Sequence, residues 1–308
     1  MSLRLPSQVA IAVPCFNERL RLEPLLQSLA LLEPAPAVLL FLDDGSTDGT
    51  GKWLEDQGVD LLTHPQNRGL GAARNSLWRR AEHLGLDLVA FVDADVSLPV
   101  DYVARVLGGF KADPGAAGLG GQNLDLDATE LPDRWRGRFW SQSLGSDSLH
   151  DAPMLVGACA TYRVAALQAV GGFDEDFRTH GEDVDIGRRL RRAGFRLFYE
   201  PTLVVQHRRE DSIVGLLRAC YLHCREGMRA TQATPLEPGE VRSLAWGMTK
   251  KLVRSPAAAI LKRQSLPEAA LGLAACSAGL TGYLVGSIQS TGPLRTSSPL
   301  QSQGEPAP

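Results

Sequence analysis

Residues 88–97 read LVAFVDADVS, a run of five apolar residues that ends in two carboxylates one residue apart. An earlier stretch has the same design, because residues 38–48 read VLLFLDDGSTD. Short apolar runs bounded by turn residues are typical of buried strands. In open α/β sheets, ligands bind outside the carboxyl ends of the strands. The two stretches therefore predict an acidic cleft at one edge of an α/β sheet.

Strand and helix patterns alternate through the first half of the chain. Further apolar runs predict strands at Val9–Val13 and Val59–Thr63, and leucines at helical spacing follow Leu22. The spacing also predicts helices over Gly71–Leu84 and Pro99–Phe110. Such alternation indicates βαβ units. We expect an α/β fold with a mainly parallel, Rossmann-like sheet flanked by helices.

The second half is patterned less regularly. Residues 115–151 show no clear period, and strand patterns return at Leu155–Tyr162, Phe195–Tyr199 and Leu203–Gln206. Short helices are predicted at Val164–Val170 and Asp183–Ala193, each followed by a glycine that favours a helix end.

Composition narrows the class of protein. The chain has 308 residues, 44% of them hydrophobic, and a formal net charge of −3, so no basic field points to nucleic acid. Its five cysteines are odd in number and scattered, which argues against a disulfide framework and favours a reducing cytoplasm. The apolar run Val9–Val13 is too short for the core of a signal peptide.

The C-terminal third has a different character. Residues 241–264 contain six basic residues and no acid, residues 269–288 carry no charge, and residues 289–308 hold ten Pro, Ser or Gly. We expect a helical region over 213–288 that associates peripherally with the inner face of the membrane, followed by a disordered tail. A helical hairpin packed on the domain and a membrane span are the alternatives.

Two acidic pairs follow predicted strands. Asp93 and Asp95 offer hard oxygen ligands that suit Mg²⁺ or Mn²⁺, and Asp43 and Asp44 offer acceptors for the hydroxyl and ring N–H groups of a nucleotide. Asp, Ser and Thr after a strand are also common helix caps. Each pair alone is therefore open to a purely structural interpretation.

A third acidic group and one histidine complete the candidates. Residues 181–185 read GEDVD at a predicted helix start, where acids are stabilised by the helix dipole or serve as a general base. His207 follows a predicted strand, where it is either structural or a further metal ligand through a neutral imidazole nitrogen.

Taken in order, these motifs resemble the family 2 glycosyltransferases, which have the GT-A fold. The resemblance covers about residues 8–210 and rests on these segments: PCFNE at 14–18, DDGSTD at 43–48, NRGLGAARN at 67–75, DAD at 93–95, GACATYR at 157–163, GGFDE at 171–175 and GEDVDIGRRLRRAG at 181–194. It implies a GT-A domain over 1–212, with a nucleotide half at about 8–110 and an acceptor half at about 111–212.

The resemblance also implies residue roles. Asp93, Asp95 and His207 would hold Mn²⁺ or Mg²⁺, and Asp183 would be the catalytic base, with Glu182 as the substitute. The residues implied to bind the nucleotide sugar are Pro14, Phe16, Glu18, Asp43, Asp44, Arg68, Arg74, Asp93 and Ala94.

The implied reaction is an inverting transfer of a sugar from a nucleotide-diphosphate sugar, by default a UDP-sugar, to a hydroxyl acceptor. A glycan, a lipid-linked or another hydroxyl acceptor in cell-surface polysaccharide, glycolipid or other glycoconjugate synthesis is expected. The Q-x-x-R-W motif of processive synthases is missing after Asp183, where residues 206–209 read QHRR, so single transfers are expected.

Two other functions remain open at this stage. FVDADVS at 91–97 also resembles the first motif of haloacid-dehalogenase-type phosphatases, in which Asp93 would be a nucleophile. That family places the motif on its first strand, whereas several strand and helix patterns precede it here. A non-catalytic protein that binds nucleotide sugars is the second alternative.

Overall fold

The computed structural model describes residues 8–125, 130–140, 143–208, 211–232 and 266–289. The basic segment 241–264 and nearly all of the predicted tail therefore lie outside the described residues. The helices and strands, in chain order, are β1 (Val9–Cys15), α1 (Leu22–Ala30), β2 (Val38–Asp43), α2 (Thr50–Asp56), β3 (Asp60–Thr63), α3 (Leu70–His83), β4 (Leu88–Val92), β5 (Val96–Ser97), α4 (Tyr102–Ala112), β6 (Ala116–Asp125), α5 (Leu131–Phe139), β7 (Cys159–Arg163), α6 (Val164–Ala169), α7 (Glu182–Arg192), β8 (Arg196–His207), α8 (Ile213–Gln232) and α9 (Leu266–Gln289).

One eight-stranded sheet runs through the described residues, in the order β3-β2-β1-β4-β7-β6-β8-β5. Strands β3, β2, β1 and β4 pair in parallel, and β6 pairs in parallel with β8. Strand β7 is antiparallel to both of its neighbours, and β5 is antiparallel to β8. The predicted α/β, Rossmann-like sheet flanked by helices is confirmed.

Both faces of the sheet are covered, as parallel strands require. Alternate residues of β1 point to opposite sides, so that Ile11 belongs to the core under α1 and α4 and Ala12 to the core under α3, α6 and α7. This three-layer arrangement leaves the carboxyl ends of β1, β2 and β4 at one edge. The first two acidic pairs of the sequence lie there.

The element predictions are most accurate where patterns are strongest. The predicted strand Leu88–Val92 matches β4 at both ends. Two features differ: Phe195–Tyr199 and Leu203–Gln206 form one strand, β8, and residues predicted to be irregular contain β6 and α5. Strand β6 was not predicted because Gly118, Gly120 and Gly121 interrupt its apolar pattern. These glycines leave room for the side chains of Leu155 and Leu203, a tertiary contact that the sequence pattern does not show.

The two C-terminal helices pack closely side by side. A Cβ at Gly282 of α9 would lie 2.1 Å from the carbonyl oxygen of Tyr221 in α8, and one at Gly286 would lie 2.4 Å from that of Arg225. Because later residues of α9 meet later residues of α8, the two helices run in the same direction. Residues Pro267–Gln289 are long and apolar enough to cross a membrane by length and composition alone, and a third of their most apolar window is buried.

Candidate active site

The two strand-end carboxylates and the predicted histidine converge. One ligand atom each from Asp93, Asp95 and His207 lies within 4.8 Å of the others. The pairing of β5 with β8 sets Val96 opposite His207, whose buried ring places Nε2 2.9 Å from Asp95 Oδ1. Two carboxylates and one imidazole fit a divalent ion such as Mn²⁺ or Mg²⁺. The sequence separates His207 from the two carboxylates by more than a hundred positions, and the sheet brings them together.

Arg74 connects this group to the third acidic cluster. Its buried guanidinium donates from Nη1 to Glu182 Oε1 (2.7 Å) and from Nη2 to the carbonyl of Gly157 (3.1 Å) and, more weakly, to Asp93 Oδ1 (3.4 Å). A Cβ at Gly157 would lie 2.8 Å from Nη2, so only glycine leaves room for the guanidinium. The phosphate contact predicted for Arg74 is untested, and in this structure its side chain orders acidic groups.

Glu182 and Asp183 differ in their access to solvent. Glu182 is buried against Arg74, and its Oε2 has no hydrogen-bond partner among the described residues. Asp183 is half-buried and accepts a hydrogen bond from the backbone N–H of Val184 at 2.8 Å. Burial raises the pKa of both carboxyls, and Arg74 opposes that rise. Asp183 is thus the more accessible carboxylate of the two.

Asp44 holds a neighbouring loop. Its carboxylate is within 2.6 Å of His64 Nδ1 and accepts the backbone N–H groups of Arg68 (2.9 Å) and Gly69 (2.7 Å). Gly69 has a φ of 97°, in the left-handed region that glycine tolerates, and its N–H points to Asp44 as α3 begins. Asp43 accepts the N–H of Ser46 at 3.0 Å. The nucleotide role predicted for Asp43 and Asp44 stays a prediction.

The first loop carries the remaining candidates. Phe16 is exposed, Pro14 and Glu18 are half-buried, and Ala94 is buried between the two carboxylates of the metal group. Burial raises the pKa of Glu18 to about 7, opposed by Arg21 and reinforced by Asp95 and Asp93. The influence of Asp93 and Asp95 indicates that Glu18 lies near the same acidic edge.

Arg68 contacts the candidate Asp44 through its backbone N–H, and its side chain has a different partner. Its exposed side chain donates to Glu175 Oε2 at 2.9 Å. The nucleotide contact predicted for Arg68 is untested by this structure.

Sequence reasoning missed Asp125, which ends β6. Its Oδ1 lies 3.7 Å from Nδ1 of His207, directly opposite in the register of β6 and β8. An acid directly after Leu124 is a weak sign of a strand end. It was not used because the glycines before it interrupt the apolar pattern of the strand. Among the described residues, the group of Asp93, Asp95 and His207 is the one cluster with metal-binding geometry.

Comparison with known proteins gives the class of the chain. A family profile described as glycosyl transferase family 2 matches residues 10–171. The chain is 33% identical over 214 residues to a pre-mycofactocin glycosyltransferase of Mycobacterium tuberculosis. This alignment covers 65% of the chain and 42% of that protein. It is 31% identical over 223 residues to the N-acetylglucosaminyl-diphospho-decaprenol L-rhamnosyltransferase of the same species, covering 62% of this chain and 73% of that protein.

A solved structure agrees with the fold. The mannosyltransferase PcManGT from Pyrobaculum calidifontis, solved with GDP-Man and Mn²⁺, superposes with a TM-score of 0.60 at 20% identity, covering 93% of this chain and 88% of that one. This chain belongs to glycosyl transferase family 2 and has the GT-A fold, as its motifs predicted. The predicted transferase class follows from that membership. The phosphatase alternative loses its support, because the D-x-D residues follow the fourth strand of this fold.

Proposed function

We propose that this protein is a metal-dependent, inverting glycosyltransferase. It would transfer single sugars from a nucleotide-diphosphate sugar, by default a UDP-sugar, to a hydroxyl acceptor in the synthesis of a cell-envelope polysaccharide or glycolipid. The observation that carries the proposal is the convergence of Asp93, Asp95 and His207 with the Arg74–Glu182–Asp183 group at one edge of the sheet.

The metal group and the loops of the first half suit a donor. Asp93, Asp95 and His207 would hold Mn²⁺ or Mg²⁺, which would supply charge neutralisation for the diphosphate leaving group. Asp43, Asp44 and the exposed ring of Phe16 would bind the nucleoside. One relative is named a glycosyltransferase and another a rhamnosyltransferase, and PcManGT was solved with GDP-Man and Mn²⁺.

Asp183 is assigned as the general base, in preference to Glu182. A base must reach the proton that it abstracts, and Asp183 is accessible whereas Glu182 is buried in its ion pair with Arg74. Asp183 would take the acceptor hydroxyl proton as that oxygen bonds to the anomeric carbon. The bond from that carbon to the diphosphate breaks on the opposite face, and its electron pair leaves with the diphosphate.

The acceptor and the location follow from the C-terminal region and the relatives. The name of the rhamnosyltransferase relative specifies a diphospholipid acceptor. Four large apolar side chains of α9 are exposed, and the preceding segment 241–264 is basic and free of acids. We therefore propose a peripheral location on the inner face of the cell membrane, with a lipid-linked or surface glycan as the acceptor.

The experiment is Asp183→Asn, tested with a panel of nucleoside diphosphates and their sugars in Mn²⁺. Calorimetry should give unchanged nucleotide affinity, and transfer should fall by about 10²–10⁴-fold. Asp176→Asn, which alters an exposed acid in the preceding loop, is the control and should keep full activity. An active Asp183→Asn protein would move the base role to Glu182 or another group. Donor affinity that is equal in chelator and in Mn²⁺ would contradict metal dependence.

A further inference from the structure

Arg74 lies behind the candidate site rather than on its surface. Its side chain is 2% exposed, and its Cζ atom lies 5.6 Å from the ring centroids of both Phe91 and Phe173. Cation–π contacts at this distance help to hold a guanidinium in place. A charge so enclosed is available to the protein groups around it, not to the diphosphate of a donor.

The guanidinium joins three segments that are far apart in the chain. Nη1 donates to Glu182 Oε1 at the start of α7 (2.7 Å), and Nη2 donates to the carbonyl of Gly157, which precedes β7 (3.1 Å). Nη2 also lies 3.4 Å from Oδ1 of Asp93, which follows β4. Arginine presents these donors in one rigid plane, so the three segments are held at a fixed spacing. Lysine carries a single ammonium on a flexible chain and cannot keep that spacing.

Gly157 extends this link to the assigned base. The carboxylate of Asp183 accepts a backbone hydrogen bond from Gly157, which favours its charged form. The carbonyl of the same glycine accepts the Nη2 hydrogen bond of Arg74. A Cβ at Gly157 would lie 2.8 Å from Nη2 and 2.9 Å from Nη1, so a side chain there would displace the guanidinium. Arg74 and Asp183 are thus connected through one glycine.

Glu182 supplies the counter-charge for Arg74. It is 4% exposed, and its Oε1 atom lies 2.7 Å from Nη1. Asp183, the next residue, is half-buried. The two adjacent acids at the start of α7 therefore have different surroundings, because one is held in an ion pair and the other lies nearer to solvent. This division suits an anchor for Arg74 and a base, respectively.

We propose that Arg74 and Gly157 are positioning residues, which hold the base Asp183 and the metal ligand Asp93 at one fixed spacing, with Glu182 as the anchor of Arg74. Neither Arg74 nor Gly157 contacts the donor or the acceptor. The fixed spacing aligns Asp183 with the acceptor hydroxyl at the point where the donor bond breaks, and such alignment contributes to the rate of transfer. The inference rests on the proposed transferase function and adds two residues to it.

The first test is Arg74→Lys in the full chain, which keeps the charge and removes the bridge. Calorimetry with Mn²⁺ alone should show binding weaker by about 10-fold, as expected when a partner of a metal ligand is lost. With the nucleotide sugar that binds best in the panel above, kcat should fall by about 10²-fold while KM changes by less than about threefold. Arg80→Lys is the matched control and should leave all three quantities unchanged, because Arg80 lies on the same helix and pairs with the partly exposed Asp60.

Gly157→Ala tests the same unit without altering any charge. The added methyl group should displace the guanidinium, so that kcat falls by about 10-fold or more. Gly108→Ala in α4 is the control and should keep the parent kcat, because a Cβ at Gly108 would meet no atom within 4 Å. Parent values of Mn²⁺ affinity and kcat in both Arg74→Lys and Gly157→Ala would overturn the proposal.

A double variant separates positioning from folding. Arg74→Met combined with Glu182→Gln removes both charges, so it should approach the parent in urea denaturation and yet keep the losses of Mn²⁺ affinity and kcat. Recovery of both quantities together with stability would overturn the proposal, because Arg74 would then serve folding only. Weaker nucleoside diphosphate binding by Arg74→Lys at unchanged Mn²⁺ affinity would also overturn it, in favour of a direct phosphate contact. A parent chain that binds no nucleoside diphosphate in Mn²⁺ would instead refute the transferase function, and the positioning role would fall with it.

Discussion

The two sides of the metal group are built differently. On one side, the loop cluster, defined by residues 16–19, 43–50 and 64–69, is tied together by hydrogen bonds between its own side chains and backbone. On the other side, a cleft lies between the end of β6, helix α5 and the start of α9, and it is lined by the exposed side chains of Arg134 and Arg138, by the carboxylates of Asp125 and Glu268, and by the buried ring of Trp135.

The difference indicates two modes of recognition. Polar groups that already form hydrogen bonds with one another hold a fixed shape. Binding of a ligand to them therefore loses little conformational entropy. The loop cluster is thus suited to a constant ligand such as a nucleotide. The exposed charged side chains of the cleft are held less firmly, as in the pair of Arg134 and Glu268 at 3.9 Å, so that this surface can adjust its shape. Substitutions that test this contrast should cost more folding stability near the loop cluster than at the cleft.

The largest expected effect is at Arg74. Arg74→Met would leave Glu182 buried without its partner, and breaking a buried ion pair costs about 3–5 kcal/mol of unfolding free energy. Arg138→Met at the cleft should cost less than about 0.5 kcal/mol, because the side chain is exposed. Urea denaturation measures both. Adding Glu182→Gln to Arg74→Met should restore much of the lost unfolding free energy. Equal losses of unfolding free energy in Arg74→Met and Arg138→Met would contradict the contrast between the two regions.

A smaller effect is expected at Asp44. Asp44→Asn replaces one carboxylate oxygen by an NH₂ group, so that the N–H of either Arg68 or Gly69 loses its acceptor, which costs about 1–3 kcal/mol. The control is Asp56→Asn, which removes an exposed ion pair with Lys52 and should change the stability very little. Urea denaturation measures both variants. Their midpoints can be compared when the dependence of unfolding free energy on urea concentration is unchanged. A neutral Asp44→Asn would mean that the loop cluster is not held by this carboxylate.

The smallest effect concerns Glu18 and depends on pH. Its pKa is about 7 in the folded protein, against an ordinary value of 4.5, so the unfolded chain loses this proton first as pH rises. Glu18 therefore lowers stability progressively between about pH 4.5 and pH 7, and the loss is complete above pH 7.

Glu18→Gln removes the titrating group without changing its shape. Without metal, the variant should be equal to the parent at pH 4 and more stable than it at pH 8. The expected gain is about 1 kcal/mol, roughly a third of what the full shift would give, because this half-buried carboxyl remains partly solvated. Thermal unfolding at the two pH values measures the difference. Glu23→Gln, at an acid in the first turn of α1, is the matched control. A constant offset at both pH values would show that burial does not perturb Glu18.

Much of the site could be predicted because its residues directly follow apolar strands. A short apolar run predicts each of two strands, and the acids directly follow the runs: Asp43 and Asp44 after the first, Asp93 and Asp95 after the second. Asp125 and Gly157 could not be predicted in the same way. Strand β6 contains glycines that leave room for Leu155 and Leu203 and therefore shows no clear apolar pattern. Gly157 matters because Arg74 occupies the space where a larger side chain would lie.

Local sequence alone determined the α/β class, the strand-end acids and the family, since all three depend on patterns within short segments. Tertiary structure decided which acids meet. The pairing of β5 with β8 brings Asp95 to His207, and the buried guanidinium of Arg74 links Asp93 to Glu182 across the fold. Side chains a hundred positions apart become neighbours only through sheet order, and sheet order follows from how whole faces of the chain pack.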